Sequence, residues 1–337
     1  MEKPDQDKFA GSLIGQCLGD ALGFIVEGEP PSVCEPYVAR VVRTMQVEGQ
    51  RRGRYQFGQY SDDSQLAREL IVSCLHCAQF DPNDYAKRIA LIFSEDRIVG
   101  RGLATDLAAK RLARGVPWEL AAEPPPSAGN GTAMRAGPVG LFFWDRPERL
   151  AQAAHDQGRI THQDRRCSAG SIAIAGAVTL ALRSGPLQTP DFVAQLAEWT
   201  EPYDSIMASA LRKMPEWLIA SAHTAALEIS RVGVPPDFKD GWELISPFVT
   251  TSVLWSIYSF LQNPDDYMEA ICTSIAVGGD VDTTAAMTGA ISGARLGLDR
   301  IPHQLARRVN DNGTWGYDEL VRLAQECHRV VMQGQFG

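Results

Sequence analysis

The sequence predicts an all-α protein folded as one domain over residues 1–337. Three observations carry that expectation. Apolar residues recur at three- and four-residue spacing along most of the chain, as amphipathic helices require. Alternation with a period of two, the mark of a half-buried strand, is nearly absent. The Pro-rich joints Pro124-Pro125-Pro126 and Val234-Pro235-Pro236 are neither long nor polar enough to be flexible interdomain linkers. No fixed-period repeat suggests a solenoid.

Composition bounds the function. With 45% hydrophobic and 22% charged residues the chain is globular and long enough for a sizeable core. A net charge of −9 opposes non-specific binding to nucleic acid or anionic membrane, though it leaves room for a local phosphate pocket. No apolar run approaches the length of a membrane span. The polar start Met1-Glu2-Lys3-Pro4 lacks the order of a signal peptide. Seven cysteines, an odd number, read as reduced thiols of a cytoplasmic protein, expected to be a monomer. Cys74-Leu75-His76-Cys77 is the one close pair and reads as a core-face feature, since a structural zinc site wants four ligands.

The elements follow in order. A first helix is expected over about 7–22, ending in Gly19-Asp20-Ala21-Leu22-Gly23, with Glu27 soon after, beside Phe24, Ile25 and Val26. An acid there is either exposed at a helix end or drawn into a site. Residues 28–57 read as irregular, with a strand or short hairpin over Val38 to Met45 and a solvated basic loop at Gln50-Arg51-Arg52-Gly53-Arg54. Helices are then expected at about 61–79, 83–95, 101–114, 131–145, 147–157 and 167–184. Further ones are expected at 190–201, 204–231 with a break near Pro215, 241–262, 264–276, 282–296, 301–309 and 316–333.

Two short stretches hold the chemistry. Ser61-Asp62-Asp63-Ser64-Gln65 opens a helix whose apolar stripe is Leu66, Leu70, Ile71, Cys74 and Leu75. Gly278-Gly279-Asp280-Val281-Asp282-Thr283-Thr284 opens another, in which Ala286, Ala290 and Ala294, with Gly289 and Gly293, invite close approach of a second helix. Taken singly, each stretch is explained by capping, because Ser and Asp satisfy orphan N–H groups at helix starts. Together they suggest more. Asp280 and Asp282, two apart, can share a ligand only where the backbone still turns, and Gly278-Gly279 permits that turn. Carboxylate and hydroxyl oxygens suit Mg²⁺, Mn²⁺ or Ca²⁺, whereas zinc prefers His and Cys. The expected metal ligands are therefore Ser61, Asp62, Asp63, Asp280, Asp282 and Thr283.

Three loops are secondary candidates. Ser127-Ala128-Gly129-Asn130-Gly131-Thr132-Ala133-Met134-Arg135 is glycine-rich and precedes a helix, as an anion site would. It lacks the lysine of a Walker loop. Val99-Gly100-Arg101-Gly102 is a weaker example, and Ile160-Thr161-His162 puts a histidine in a connection. A plain turn is the alternative reading for each.

These pieces, taken in order, resemble the ADP-ribosylglycohydrolase family, which includes the dinitrogenase reductase-activating glycohydrolase. The matching residues are Gly19-Asp20-Ala21-Leu22-Gly23 with Glu27, Ser61 to Gln65, Gly129 to Arg135, Ile160-Thr161-His162, and Gly278 to Thr283. The resemblance implies an all-α bundle with two Mg²⁺ or Mn²⁺ ions on the six ligands above. It implies that Glu27, Asp62 and Asp63 serve catalysis. Gly129, Asn130, Gly131, Thr132, Met134 and His162 would then hold ADP-ribose, free or attached to protein. The implied reaction is hydrolysis of the bond between ADP-ribose and an acceptor, arginine first. Some relatives carry an adenine-stacking aromatic where this chain has Ala128, so adenine is either held differently or stacked by another ring such as Phe24, Phe143 or Trp315. Arg101 stands where several relatives carry an aromatic, and Ser61 and Ser64 replace threonines while keeping the hydroxyl.

Two other readings fit parts of the sequence. Asp280-Val281-Asp282-Thr283-Thr284 fits the Asp-x-Asp-x-Thr pattern of haloacid-dehalogenase-type phosphatases, which demands a preceding strand and an α/β sheet. The other rival is a non-catalytic ADP-ribose binder or structural protein of the same fold.

Overall fold

Two helices made mostly of small and apolar residues lie at the centre. The computed structural model describes residues 2–236 and 241–337. Helix α1 (Gln6–Phe24) is buried from Phe9 onward, and the late helix Val281–Leu296 is buried from Val281 to Ala294. A helix without a polar face belongs in the interior. Glycines let the two backbones touch. A Cβ on Gly293 would sit 1.9 Å from the Gly11 carbonyl oxygen, and one on Gly289 would sit 2.1 Å from that of Gly15. Gly19 meets the Ala285 carbonyl in the same way, and Gly23 meets that of Val281. The four-residue spacing of small residues in the late helix thus finds its match in Gly11, Gly15, Gly19 and Gly23 of α1.

Around this pair, in chain order, come α2 (Pro31–Tyr37), α3 (Asp62–Cys77), α4 (Pro82–Ser94), α5 (Leu103–Ala113), α6 (Trp118–Ala121) and α7 (Gly137–Phe142). Then follow α8 (Pro147–Arg159), α9 (Arg165–Ala181), α10 (Thr189–Thr200), α11 (Ser205–Ile219) and α12 (Ala222–Ile229). The last are α13 (Val249–Gln262), α14 (Tyr267–Ala276), α15 (the Val281–Leu296 helix), α16 (His303–Ala306) and α17 (Tyr317–Met332). One hydrophobic core runs from Phe9 to Phe336, so the all-α fold is a single domain. Among the described residues the sheet is one hairpin, Arg51–Arg52 with Tyr55–Gln56.

The expected elements need correction at several places, α2 itself lying in a stretch expected to be irregular. Val38 to Met45 is not a strand: α2 runs on into a π-helical turn, Val38–Val42, in which Arg43 N–H donates to the Val38 carbonyl at 3.0 Å. Burial of Val38 and Val42 in the core overrides the β preference of a valine-rich run. The hairpin falls instead on the basic run, which had been expected as loop. Pro215 does not break its helix; the chain breaks at Ala220, and Ser221 caps α12 by accepting the Thr224 N–H. Helix α13 starts at Val249 rather than 241, because Pro247 biases the residue before it away from helix. The span 131–145 resolves into a 3₁₀ turn, Asn130–Thr132, and the separate helix α7, which carries Pro138 in its first turn.

Candidate metal centre and substrate cleft

Both acidic stretches are helix starts, and the central helix pair brings them together. Ser61 caps α3, its Oγ accepting the Asp63 N–H at 3.3 Å and donating to Asp63 Oδ2 at 2.8 Å. At Gly278 and Gly279 φ is +75° and +85°, which supplies the turn expected before Asp280. Thr283, at the start of α15, donates through Oγ1 to Asp63 Oδ1 at 3.1 Å. Oxygen atoms from distant parts of the sequence therefore converge.

Asp20 completes the cluster, and it was missing from the expected ligands. It projects from α1 and accepts the backbone N–H groups of Ser61 at 2.9 Å and Ser64 at 3.1 Å, acting as a remote cap for α3. The sequence carried a signal for it: an acid between Gly19 and Ala21 in an otherwise apolar helix. Carboxylate oxygens of Asp20, Asp63 and Asp282 lie within 4.8 Å of one another, and so do those of Glu27, Asp280 and Asp282. Asp282 belongs to both groups.

These groups open into a cleft of about 440 Å³. Glu27, Asp62, Asp63, Asp280, Asp282 and Thr283 line one part of it, and Gly129, Asn130, Gly131, Met134 and His162 another. Ser61 sits behind Asp63 and orients it. Thr132 is placed away from the cleft: its buried hydroxyl donates to the Cys167 carbonyl at 2.8 Å, as an interior hydroxyl must find an acceptor. The Gly129–Gly131 loop is tied down as well. The Asn130 N–H donates to the Pro247 carbonyl at 2.9 Å, so it is not open to a phosphate. The Asn130 side chain donates to Asp280 and reaches Ser252 Oγ.

Phe24, Phe143 and Trp315 do not line the cleft. Phe24 stacks beneath Arg52, Phe143 beside Phe336, and Trp315 against Arg68. The benzenoid ring among the described cleft residues is Trp242. Arg101 is also at the cleft, held by Asp96 and Asp106.

The electrostatics are one-sided. Among the described residues none of Asp20, Asp62, Asp63, Asp280 and Asp282 has an ion-pair partner, while Glu27 pairs with Arg52 at 2.6 Å. Burial, then the charges of Asp20 and Glu27, pushes Asp62 well above the ordinary carboxylate range. Burial, then Asp20 and Asp62, does the same to Asp63, and burial with Glu27 and Asp63 does it to Asp282. Asp280 is pushed up to about 6 by burial and Glu27, and Asp20 to about 7 by burial. Unpaired buried carboxylates are costly, and a bound cation removes that cost.

His162 is neutral, since burial and then the neighbouring Arg135 lower its pKa to about 3. Its Nδ1 lies 2.8 Å from Thr161 Oγ1, which already accepts from Arg135 Nη2 at 2.9 Å. The Thr161 hydroxyl also lies 3.4 Å from the Gly158 carbonyl; where it gives its proton to Nδ1, the ring proton sits on Nε2, beside Gly129 and Gly131. A Cβ on Gly131 would come within 3.0 Å of the His162 ring, so glycine is needed for the approach.

An all-α domain whose cleft ends in a carboxylate-and-hydroxyl cluster falls into the class of helical proteins able to hold hard divalent cations. The chain belongs to the ADP-ribosylglycohydrolase family, whose model matches residues 1–335. It is 30% identical to ADP-ribosylhydrolase ARH3 of Homo sapiens, over 97% of this chain and 94% of that protein. Identity to ADP-ribosylarginine hydrolase Tri1 of Serratia proteamaculans is 23%, over 89% of this chain and 75% of that protein. A solved structure described as an "ADP-ribosylglycohydrolase-related protein complex" matches with a TM-score of 0.70 and 27% identity, covering 97% of this chain and 99% of that one. With α14 before the Asp280 motif and α15 after it, the sheet that a haloacid-dehalogenase-type phosphatase needs is absent among the described residues. Nor is any described helix long and apolar enough to cross a membrane.

Proposed function

We propose that the cleft hydrolyses the glycosidic bond joining the distal ribose of ADP-ribose to an acceptor on protein, an arginine side chain first, and so reverses ADP-ribosylation. One observation carries this reading: in a chain of this family, acidic side chains from α1, α3 and the start of α15 meet in a cleft of ligand size, with no ion-pair partner among the described residues.

The donor set fits two Mg²⁺ or Mn²⁺ ions. It consists of oxygen only, from Ser61, Asp62, Asp63, Asp280, Asp282 and Thr283, with Asp20 now added. The two carboxylate groups that share Asp282 support two adjacent positions. Ions held there would supply a template for ribose hydroxyls and a water of lowered pKa. The bond breaks with oxocarbenium character, so the protein's own part is to fix the ribose and move one proton. Glu27 or Asp62 takes that proton from the attacking water and gives it to the departing acceptor atom, and comparing Glu27→Gln with Asp62→Asn tells them apart by which loses kcat. Asp63, held by Ser61 and Thr283, fixes the geometry around them. His162 donates from Nε2 to a ribose or diphosphate oxygen, the glycine loop admits the diphosphate, and Trp242 stacks on adenine. The seven unpaired cysteines support a reducing, cytoplasmic setting.

The test is Mg²⁺-dependent release of ADP-ribose from arginine-linked, serine-linked and small-molecule conjugates, measured side by side. Release from the arginine conjugate is expected, and it should fall by about 10³-fold or more in the folded Asp62→Ala/Asp282→Ala double variant, which removes both positioning and proton transfer. Undiminished turnover by that variant overturns the assignment. Binding of ADP-ribose with no turnover of any conjugate would make the protein a binder instead.

A further inference from the structure

The Cys74-Leu75-His76-Cys77 stretch, set aside by the sequence as a core feature, separates into two parts. Cys74 is buried in the core, but His76 is exposed and Cys77 partly so. Helix α3 ends here on Ala78, whose φ of +54° turns the chain, and Asp81 caps α4 by accepting the N–H groups of Asn83 and Asp84. The turn folds the first residues of α4 back against the last turn of α3. It brings His76 Nδ1 to 3.7 Å from Cys77 Sγ and 3.2 Å from Asp84 Oδ1. One ligand atom from each of the three lies within 4.8 Å of the others.

We infer that His76, Cys77 and Asp84 form a second metal site, for a zinc-class divalent cation, with a fourth position open to water or to a ligand from a partner.

Three arguments support it. Tetrahedral zinc, with Zn–N near 2.0 Å and Zn–S near 2.3 Å, sets its nitrogen roughly 3.6 Å from sulfur and roughly 3.3 Å from oxygen. The two observed separations are close to both values, and the sulfur lies within 4.8 Å of an Asp84 carboxylate oxygen. The carboxylate is already oriented for the role. Asp84 Oδ2 accepts from Ser73 Oγ at 2.7 Å and from Arg88 Nε at 2.8 Å, which leaves Oδ1 to His76. Hydrogen-bonded carboxylates of this kind are the usual support of a metal ligand. The donor set, one nitrogen, one sulfur and one oxygen, also differs in kind from the oxygen-only cluster of the cleft, so each selects a different ion. Three protein ligands with one open position is the pattern of an accessible zinc site, not of a closed structural one. A cation here would tie the end of α3 to the start of α4.

Cobalt tests this on the full chain, because thiolate ligation of Co²⁺ gives a near-ultraviolet charge-transfer band that oxygen ligands cannot give. Mg²⁺ is kept in excess to occupy the cleft. One equivalent of Co²⁺ should raise the band, Zn²⁺ should abolish it by displacement, and Zn²⁺ alone should raise Tm. The band should vanish in Cys77→Ser, weaken at least tenfold in apparent affinity in His76→Ala, and persist in Cys74→Ala. Circular dichroism checks that each variant is folded, and Mg²⁺-dependent hydrolysis should be unchanged in Cys77→Ser. A wild-type chain with no thiolate band, or a band that survives in Cys77→Ser, overturns the site.

Discussion

Asp311 and the aspartates of the cleft are almost equally buried, at 5% exposure for Asp311 and Asp282 and 4% for Asp280, yet they are neutralised in opposite ways. Asp311 accepts from fully buried Arg68 at 2.7 Å and from Gln65 Nε2 at 2.8 Å. Gln65 in turn accepts the Val99 N–H at 2.8 Å, and the Val99 carbonyl takes the Asp62 N–H. There the buried carboxylate is paired with a protein cation. One turn earlier in α3, Asp62 and Asp63 face Asp20, Asp280 and Asp282 with hydroxyls and backbone donors but no ion-pair partner among the described residues. The difference teaches what each region is for. A buried charge matched inside the protein fixes structure, and a buried charge left unmatched waits for something outside.

The strongest way to break the comparison in stability is Arg68→Met. It strands Asp311 without its partner and should cost about 3–5 kcal/mol in urea unfolding. A loss below about 1 kcal/mol would mean that Arg68 does not neutralise Asp311 as described.

The cleft should behave in the reverse sense with pH. Folding raises Asp20 to about 7 and Asp280 to about 6, from an ordinary 3.8, chiefly by burial, and raises Asp62, Asp63 and Asp282 in the same direction. A carboxyl with a raised folded pKa binds its proton more tightly in the native state. Its stabilisation is complete below about pH 4 and is lost as pH rises through 6 to 7. In chelator the protein should therefore lose on the order of a few kcal/mol between pH 4.5 and 8, and Mg²⁺ should restore it at pH 8. A flat chelator profile over that range would contradict the picture of unmatched charge.

A smaller effect sharpens the substrate end. Trp242→Ala should raise KM for an ADP-ribosyl conjugate about tenfold with kcat nearly unchanged, since stacking of a base on an aromatic contributes about 1–3 kcal/mol. An unchanged KM would remove Trp242 from the adenine position.

Sequence alone made the two acidic stretches visible, because Ser and Asp before an apolar period carry a capping signal and a chemical one at once. What it could not supply was pairing in space. The glycines of α1 have the same four-residue spacing as the small residues of α15, yet nothing local says that these two helices touch. Asp20 was missed for that reason, since its partners Ser61 and Ser64 are neighbours only after α1 and α3 have packed. The stretch Val38 to Met45 misled because β-branched residues favour strands unless tertiary burial decides otherwise, as it does here. Trp242 reaches the cleft through a segment whose course is set by pairing of Gly129 with Phe248, again a long-range event.

Calorimetric titration of the metal-free chain with Mg²⁺ at pH 8, beside the Asp62→Ala/Asp282→Ala variant, tests the central claim most directly. Saturable binding to the wild type that the folded variant lacks is the predicted result. No binding to the wild type, or equal binding to both, would contradict it.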